Sequence, residues 1–164
     1  MKLTDSSIRY IVAGIFLCLA IALIYTHFSG EKQDEKVTEI YYTYQQAFEL
    51  LQQGQYAQAL PLLEQVKAEE PDSVPVTHYL GMSYVNTNEL SKASRAYKQV
   101  VELNPYKIED ALFMIQFADV LTLNGEKEEA LTVLAQCKNL PVPASMPDYQ
   151  EQVAAKMKEL KNNS

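Results

Sequence analysis

Histidines and cysteines are the residues that most often bind metals or attack substrates, and this chain has two of each. His27 and Cys18 belong to an apolar stretch near the amino terminus, whereas His78 and Cys137 lie far apart in the remaining sequence. Neither pair supplies the set of ligands that a zinc or haem site needs. Catalysis needs a nucleophile, a matched acid and base, or a metal with several ligands, and no such set is visible. The sequence also has no Gly-rich phosphate-binding loop. We therefore predict a protein that is not an enzyme, with no catalytic, cofactor or metal site.

The charge of the chain indicates which partners it can bind. Asp and Glu outnumber Lys and Arg by 21 to 14, which gives a net charge of −7 over 164 residues. Phosphate backbones and anionic lipids are bound by clustered Lys and Arg, so this balance disfavours both. We expect protein partners that are neutral or cationic, no nucleic acid and no small-molecule substrate. The length allows one compact domain in addition to an amino-terminal segment.

The amino-terminal segment contains an uncharged apolar run, Tyr10–Gly30, with the sequence YIVAGIFLCLAIALIYTHFSG. Its length is close to the roughly 20 residues that a helix needs to cross a bilayer. We therefore predict a tail and transmembrane signal anchor over residues 1–30. A cleaved secretory signal with a site at Ala20-Ile21-Ala22 is the alternative, but the apolar residues continue beyond that point.

Small residues recur at every fourth position of this run: Gly14, Cys18 and Ala22. They predict a contact face for another membrane helix, and the alternative is a lone helix that faces lipid. A charged linker is expected over residues 31–38. The short tail and the long domain that follows suit an amino terminus in the cytoplasm, with residues 39–164 exported.

A sequence pattern repeats within residues 39–164. One copy carries residues at characteristic offsets: Leu80-Gly81, Tyr84, Ala93, Tyr97 and Pro105. Four residues precede their equivalents in that copy by 34 positions each: Ala59, Leu63, Val66 and Pro71. This period and these residues resemble the tetratricopeptide repeat, in which each unit is a pair of helices that stacks on its neighbours. From Ala93 to Ala130 the spacing is 37, so about three extra residues are expected near Tyr106–Asp110.

Together with the apolar run, the resemblance predicts an all-α fold, with an N-terminal transmembrane helix followed by an α-solenoid of about three tetratricopeptide helix pairs and a C-terminal capping helix. The repeats are expected at residues 39–72, 74–107 and 108–141. Turns within the pairs are expected at Gly54, Asn86-Thr87-Asn88 and Asn124-Gly125, because Gly and Asn adopt left-handed conformations. A capping helix is expected at residues 148–161, where an apolar stripe has helical spacing: Tyr149, Val153, Met157 and Leu160.

The resemblance also implies a binding surface, because the first helix of each pair lines a concave groove in this family. In the first unit the corresponding residues are Tyr41, Tyr44, Phe48 and Leu51. In the second unit they are Pro75, His78, Met82 and Val85, with Tyr79 at an adjacent position. The third unit, registered on Ala130, gives Leu112, Ile115, Asp119 and Thr122. These residues would give the groove a mostly apolar and aromatic wall, which suits an apolar helix or an extended peptide. The alternative is that residues 148–161 or the segment beside the membrane fill the groove.

These expectations favour a membrane-anchored scaffold or accessory subunit that holds a partner protein of a membrane or envelope complex. Similarity to small repeat proteins of the bacterial inner membrane implies a single-pass protein with its repeats on the periplasmic side. The alternative is an import or targeting receptor for amphipathic basic peptides. Binding that weakens steeply with salt would favour the receptor, because salt screens a cationic ligand on an acidic rim.

Overall fold

The computed structural model describes the backbone of residues 5–162 and the side chains of residues 14–21 and 35–162. All regular elements in these residues are helical, as the repeats predict. They are α1 (Asp5–Gln52), α2 (Tyr56–Glu69), α3 (Val74–Asn86), α4 (Leu90–Leu103), a 3-10 segment (Pro105–Glu109), α5 (Ala111–Leu123), α6 (Lys127–Cys137) and α7 (Tyr149–Asn162). Contacts divide the chain into two units, Met1–Tyr42 and Thr43–Ser164.

The predicted transmembrane anchor is the main correction that the structure makes. No helix in the described residues is both long and apolar enough to cross a membrane. This finding overturns the anchor over residues 1–30 and, with it, the predicted single-pass localisation in the bacterial inner membrane. Helix α1 does not end after the apolar run but continues through residues 31–38, where a charged linker was predicted. The side chains of residues 10–13 and 22–30 lie outside the described residues.

The predicted helix contact face falls in the first unit. Gly14 and Cys18 are exposed, as are all the other residues from 14 to 21. The side chain of Ala22, the third member of the predicted face, lies outside the described residues. Since the face was inferred for a membrane helix, it loses its basis together with the anchor.

Helices of the second unit are joined by one type of turn after α1, α3 and α5. The turn residues are Gly54, Asn88 and Gly125, whose φ angles are 71°, 62° and 79°. In each turn the next amide donates at 2.8 Å to a carbonyl five residues earlier: Gln55 to Leu50, Glu89 to Tyr84, and Glu126 to Leu121. A left-handed residue with this bond is the Schellman ending of a helix. The prediction that Asn replaces Gly in the second turn is therefore confirmed.

Neighbouring helices pack in chain order, α2 on α3, then α4, α5, α6 and α7 in succession, as in a solenoid. The apolar side chains of α4 to α7 form one core, which extends from Ala93 to Val153. Tyr149 and Val153 are fully buried in this core. Further along α7, Met157 and Leu160 pack against its edge. Helix α7 thus covers the end of the core with the apolar stripe seen in the sequence.

The irregular spacing before the third helix pair has a structural cause in the 3-10 segment. The Asn104 side chain accepts a hydrogen bond from the Tyr106 amide at 3.1 Å. Asp110 then caps α5 by accepting the Phe113 amide at 3.1 Å, and it pairs with Lys107 at 2.9 Å. The extra residues therefore lie between the hydrogen-bonded turn at Asn104 and the capped amino terminus of α5.

An ion-pair network joins α4 to the beginning of α6. Glu126 accepts hydrogen bonds from Ser94 Oγ, from Lys98 Nζ at 2.5 Å and from Asn124 Nδ2 at 2.6 Å. Lys98 also contacts Glu129 at 2.7 Å. Partial burial raises the pKa of Glu126, but the three donors outweigh this effect and hold the pKa at about 2. The carboxylate therefore stays charged at all but very acidic pH.

We expect Glu126→Gln to lower the free energy of unfolding by about 1 kcal/mol at neutral pH, because charge-assisted bonds at a partly solvated site are lost. The folded pKa lies below the unfolded value of about 4.3, so this stabilisation is present above about pH 4.3 and disappears as the pH falls towards 2. Urea unfolding across this range measures the effect, with the exposed Glu128→Gln as control. A difference from the wild-type chain that does not change with pH would contradict the assignment.

Candidate functional site

Four half-buried rings from α1 and α3 form an aromatic cluster in the second unit: Tyr44, Phe48, His78 and Tyr79. The Tyr79 ring centroid lies 6.4 Å from that of Tyr44, 5.7 Å from Phe48 and 6.2 Å from His78. Tyr44 and Phe48 stack on each other at 6.4 Å. Ring pairs are favourable at about 4.5 to 7 Å, so the four side chains support one another. Burial, followed by the influence of Tyr79, raises the pKa of Tyr44, which keeps its hydroxyl neutral.

His78 connects the aromatic cluster to the core. Its ring meets those of Tyr97 and Phe113 edge to face, each at 5.3 Å. Its Nε2 lies 3.2 Å from Gln116 Oε1, and the Tyr97 hydroxyl donates to the same oxygen at 3.3 Å. Burial lowers the pKa of His78 and outweighs the hydrogen bond to Gln116, which acts in the opposite direction. The imidazole is therefore neutral at physiological pH and serves as an aromatic and hydrogen-bonding group.

A pocket of about 310 Å³ lies between α3 and α5, and we call it the α3–α5 pocket. Three helices supply its lining: Met82, Val85 and Asn86 from α3, Tyr97 from α4, and Gln116, Asp119, Val120 and Leu123 from α5. Asp119 Oδ1 accepts a hydrogen bond from Lys156 Nζ of α7 at 2.5 Å. The pocket thus combines apolar walls with two amides and one carboxylate. Such groups bury apolar side chains and hydrogen-bond to a peptide.

Seven of the thirteen predicted groove residues lie in these two places. Tyr44, Phe48, His78 and Tyr79 make up the aromatic cluster, and Met82, Val85 and Asp119 line the α3–α5 pocket. Leu112 is half-buried in the first turn of α5. Tyr41 belongs to the first unit, where it is 58% exposed and meets Tyr42 edge to face at 5.8 Å. The cluster and the pocket therefore account for only part of the predicted set.

Leu51 and Ile115 are corrections, because both side chains are buried and present almost no surface to a partner. Leu51 lies one turn after the buried Ala47, on the packed side of α1. Ile115 occupies the position that His78 has in the preceding pair, but there the core formed with α6 and α7 encloses it. The same helical position is accessible in one repeat and buried in the next because different neighbours cover it.

Sequence reasoning missed several residues of the α3–α5 pocket: Asn86, Tyr97, Gln116, Val120 and Leu123. A signal was present for Gln116, since it and Asp119 are strongly polar residues three positions apart in the otherwise apolar α5. Residues at that spacing share a helix face. Nothing comparable identifies Tyr97, whose place in the repeat pattern is that of a core residue.

Metal binding has no support in the part of the chain that the structure describes, where no three His, Cys, Asp or Glu side chains form a suitable group. Helix pairs that stack in series and present rings and a pocket on their first helices define a helical-repeat protein. A family model described as tetratricopeptide repeat matches residues 50–106, which supports the resemblance seen in the sequence.

Solved structures with the same fold include the type III secretion translocator chaperone SycD of Yersinia enterocolitica, at a TM-score of 0.63 and 18% identity over 76% of this chain and 84% of that one. The TPR2B domain of yeast Sti1 gives a TM-score of 0.61 at 9% identity, with 77% and 99% covered. PcrH gives 0.61 at 12% identity, with 79% and 94% covered. At such low identity these likenesses show the fold alone. None of the curated proteins matches the chain.

Proposed function

We propose that this chain is a non-enzymatic protein-interaction scaffold, which holds a segment of a partner protein against the aromatic cluster and the α3–α5 pocket. The observation that carries the proposal is that Tyr44, Phe48, His78 and Tyr79 pack on one another and yet remain half-exposed. Rings that are already held in place lose little conformational entropy when a partner covers them, so their burial contributes fully to binding.

Complexes with this fold support the proposal. SycD has been solved with a peptide of the translocator YopD, and PcrH with the chaperone binding region of PopD. The yeast Sti1 domain has been solved in a complex with pHsp70. In each case a repeat domain is combined with another protein or a segment of one. A groove made from the first helices of this chain would serve the same purpose with different side chains.

Selection of displayed peptides on the full chain tests the scaffold function, with the affinity of a selected peptide measured by fluorescence anisotropy. We expect Tyr44→Ala and Phe48→Ala each to weaken binding by about tenfold or more, because each removes a ring from the centre of the contact. Tyr106→Ala is the matched control, since Tyr106 is 77% exposed on the 3-10 segment and is not a member of the cluster. Helix content by circular dichroism should not change in any of the three variants.

Two results would count against the proposal in different ways. If no peptide is enriched on the full chain, the scaffold function is wrong. If peptides bind but both alanine variants keep the wild-type affinity, the chain is a scaffold whose binding surface lies elsewhere.

A targeting receptor for amphipathic basic peptides is the second candidate, and the carboxylate of Asp119 in the α3–α5 pocket favours it. The net charge of −7 also attracts a cationic helix from a distance. A steep loss of affinity for such a peptide between low and physiological salt would support the receptor. Affinity that is insensitive to salt would contradict the receptor.

A further inference from the structure

The α3–α5 pocket has a distinct charge pattern. Of the eight residues that line it in the described part of the chain, Asp119 alone carries a charge. Its partner Lys156 belongs to α7 and is not one of the lining residues. The charge presented within the pocket is therefore that of a carboxylate. Apolar groups stand beside it: Met82, Val85, Val120 and Leu123.

The ion pair between Lys156 and Asp119 contributes little to the stability of the fold. The side chains of Lys156 and Asp119 are 33% and 43% exposed to solvent. Ion pairs at such exposed positions contribute only about 0 to 1 kcal/mol to stability. Helix α7 is held by other residues, because Tyr149 and Val153 are fully buried in the core. The lysine is thus a long, partly exposed side chain on a helix that is anchored elsewhere, and loss of its ion pair would cost the fold little.

We propose that the α3–α5 pocket takes an apolar side chain of the partner segment together with a neighbouring Lys or Arg, which replaces Lys156 as the counter-ion of Asp119. This inference rests on the proposed scaffold function and adds the chemistry of its ligand. A basic ligand residue gains the carboxylate, whereas an acidic one meets it as a like charge. Lys156 then acts as an internal competitor, which fills the site when no partner is bound.

The test compares peptides selected from a display library on the full chain with those selected on Asp119→Asn. We expect wild-type selection to enrich peptides with an apolar residue and a Lys or Arg within one helical turn of each other. The enrichment of Lys and Arg should be lost on the variant, while the enrichment of apolar residues remains. Asparagine keeps the shape of the side chain and removes only its charge.

Affinities of one selected peptide then test the role of Lys156. We expect Asp119→Asn to weaken binding about threefold and Lys156→Met to strengthen it about twofold, which are the sizes that exposed charge pairs give. In the Asp119→Asn background, Lys156→Met should have no effect, because the lysine no longer competes for a carboxylate. The same peptide with norleucine in place of its basic residue is the control and should respond to neither change.

Peptides without an excess of Lys or Arg, or an excess that persists on Asp119→Asn, would overturn this inference and leave the scaffold function intact. Weaker binding to Lys156→Met would also overturn it, since the lysine would then assist the ligand. A library that yields no binder contradicts the scaffold function itself, so the two failures can be told apart.

Discussion

Tyr149→Ala should lower the free energy of unfolding by about 3 to 5 kcal/mol, the range expected when a large buried aromatic side chain is removed from a core. Tyr149 is fully buried at the first turn of α7, among residues of α5 and α6 such as Leu121, Leu134 and Cys137. The loop before it contains three prolines, which disfavour an extension of α7 towards its amino terminus. Urea unfolding followed by circular dichroism measures the loss.

Tyr149→Phe is the matched control for this prediction. The Tyr149 hydroxyl faces the Cys137 thiol and has no conventional hydrogen-bond partner in the described residues. Removing it should therefore change the free energy of unfolding by less than about 1 kcal/mol. If the alanine and phenylalanine variants unfold at the same urea concentration, the ring does not hold α7 and the capping role is wrong.

Helix α7 connects stability to the proposed site. In a solenoid each unit is stabilised mainly by its neighbours, so a terminal helix protects the core of the last pair. The same helix carries Lys156, which donates a hydrogen bond to Asp119, a residue that lines the α3–α5 pocket. A chain that loses its cap should therefore also lose the internal competitor. Limited proteolysis should cut the exposed loop at residues 140–148 faster in Tyr149→Ala than in the wild-type chain, because local opening of α7 releases one end of that loop.

The sequence predicts the helix pairs well because their signals are local. Ala59, Ala93 and Ala130 mark the places where helices approach closely, and all three are completely buried. The left-handed turns at Gly54, Asn88 and Gly125 depend on single residues that tolerate positive φ. Each of these features can be recognised within one repeat, without knowledge of what packs against it.

The site is harder to predict because it depends on residues that meet only after folding. His78 and Gln116 are hydrogen-bonded across 38 positions, and Lys156 reaches Asp119 across 37. No periodicity in a single helix indicates such pairs. Ile115 shows the opposite failure, since its helical position suggests a groove, whereas it is buried in the core that it shares with residues of α6 and α7.

The amino-terminal segment shows the limit of composition as a guide. An uncharged run and a charged run next to each other suggested an anchor and a linker, but the backbone is helical through residues 31–38. Glu, Lys and Gln are good helix formers, so a charged stretch rich in them extends a helix as readily as it ends one.

Gly81→Ala should destabilise the fold by about 2 to 3 kcal/mol, although alanine favours a helix over glycine by about 1 kcal/mol. A Cβ atom at this position would lie 2.8 Å from both Cδ2 and Cε2 of Tyr97, and 3.4 Å from Ala96 Cβ. Tyr97 cannot move aside easily, because it is 2% exposed and stacks on Phe113 at 5.4 Å and on Phe117 at 6.0 Å. The new methyl group would therefore push α3 away from α4.

A double-mutant cycle separates this clash from other effects of the substitution. In a Tyr97→Leu background the ring that blocks the methyl group is gone, so Gly81→Ala should be close to neutral. We expect the two changes to be non-additive by more than about 1.5 kcal/mol, as residues in direct contact are. Gly14→Ala is the helical control, since nothing in the described part of the chain lies within 4 Å of a Cβ there. If Gly81→Ala raises the stability of the wild-type chain, α3 and α4 do not pack through this glycine. Tyr97 would then not be held in the position where it lines the α3–α5 pocket.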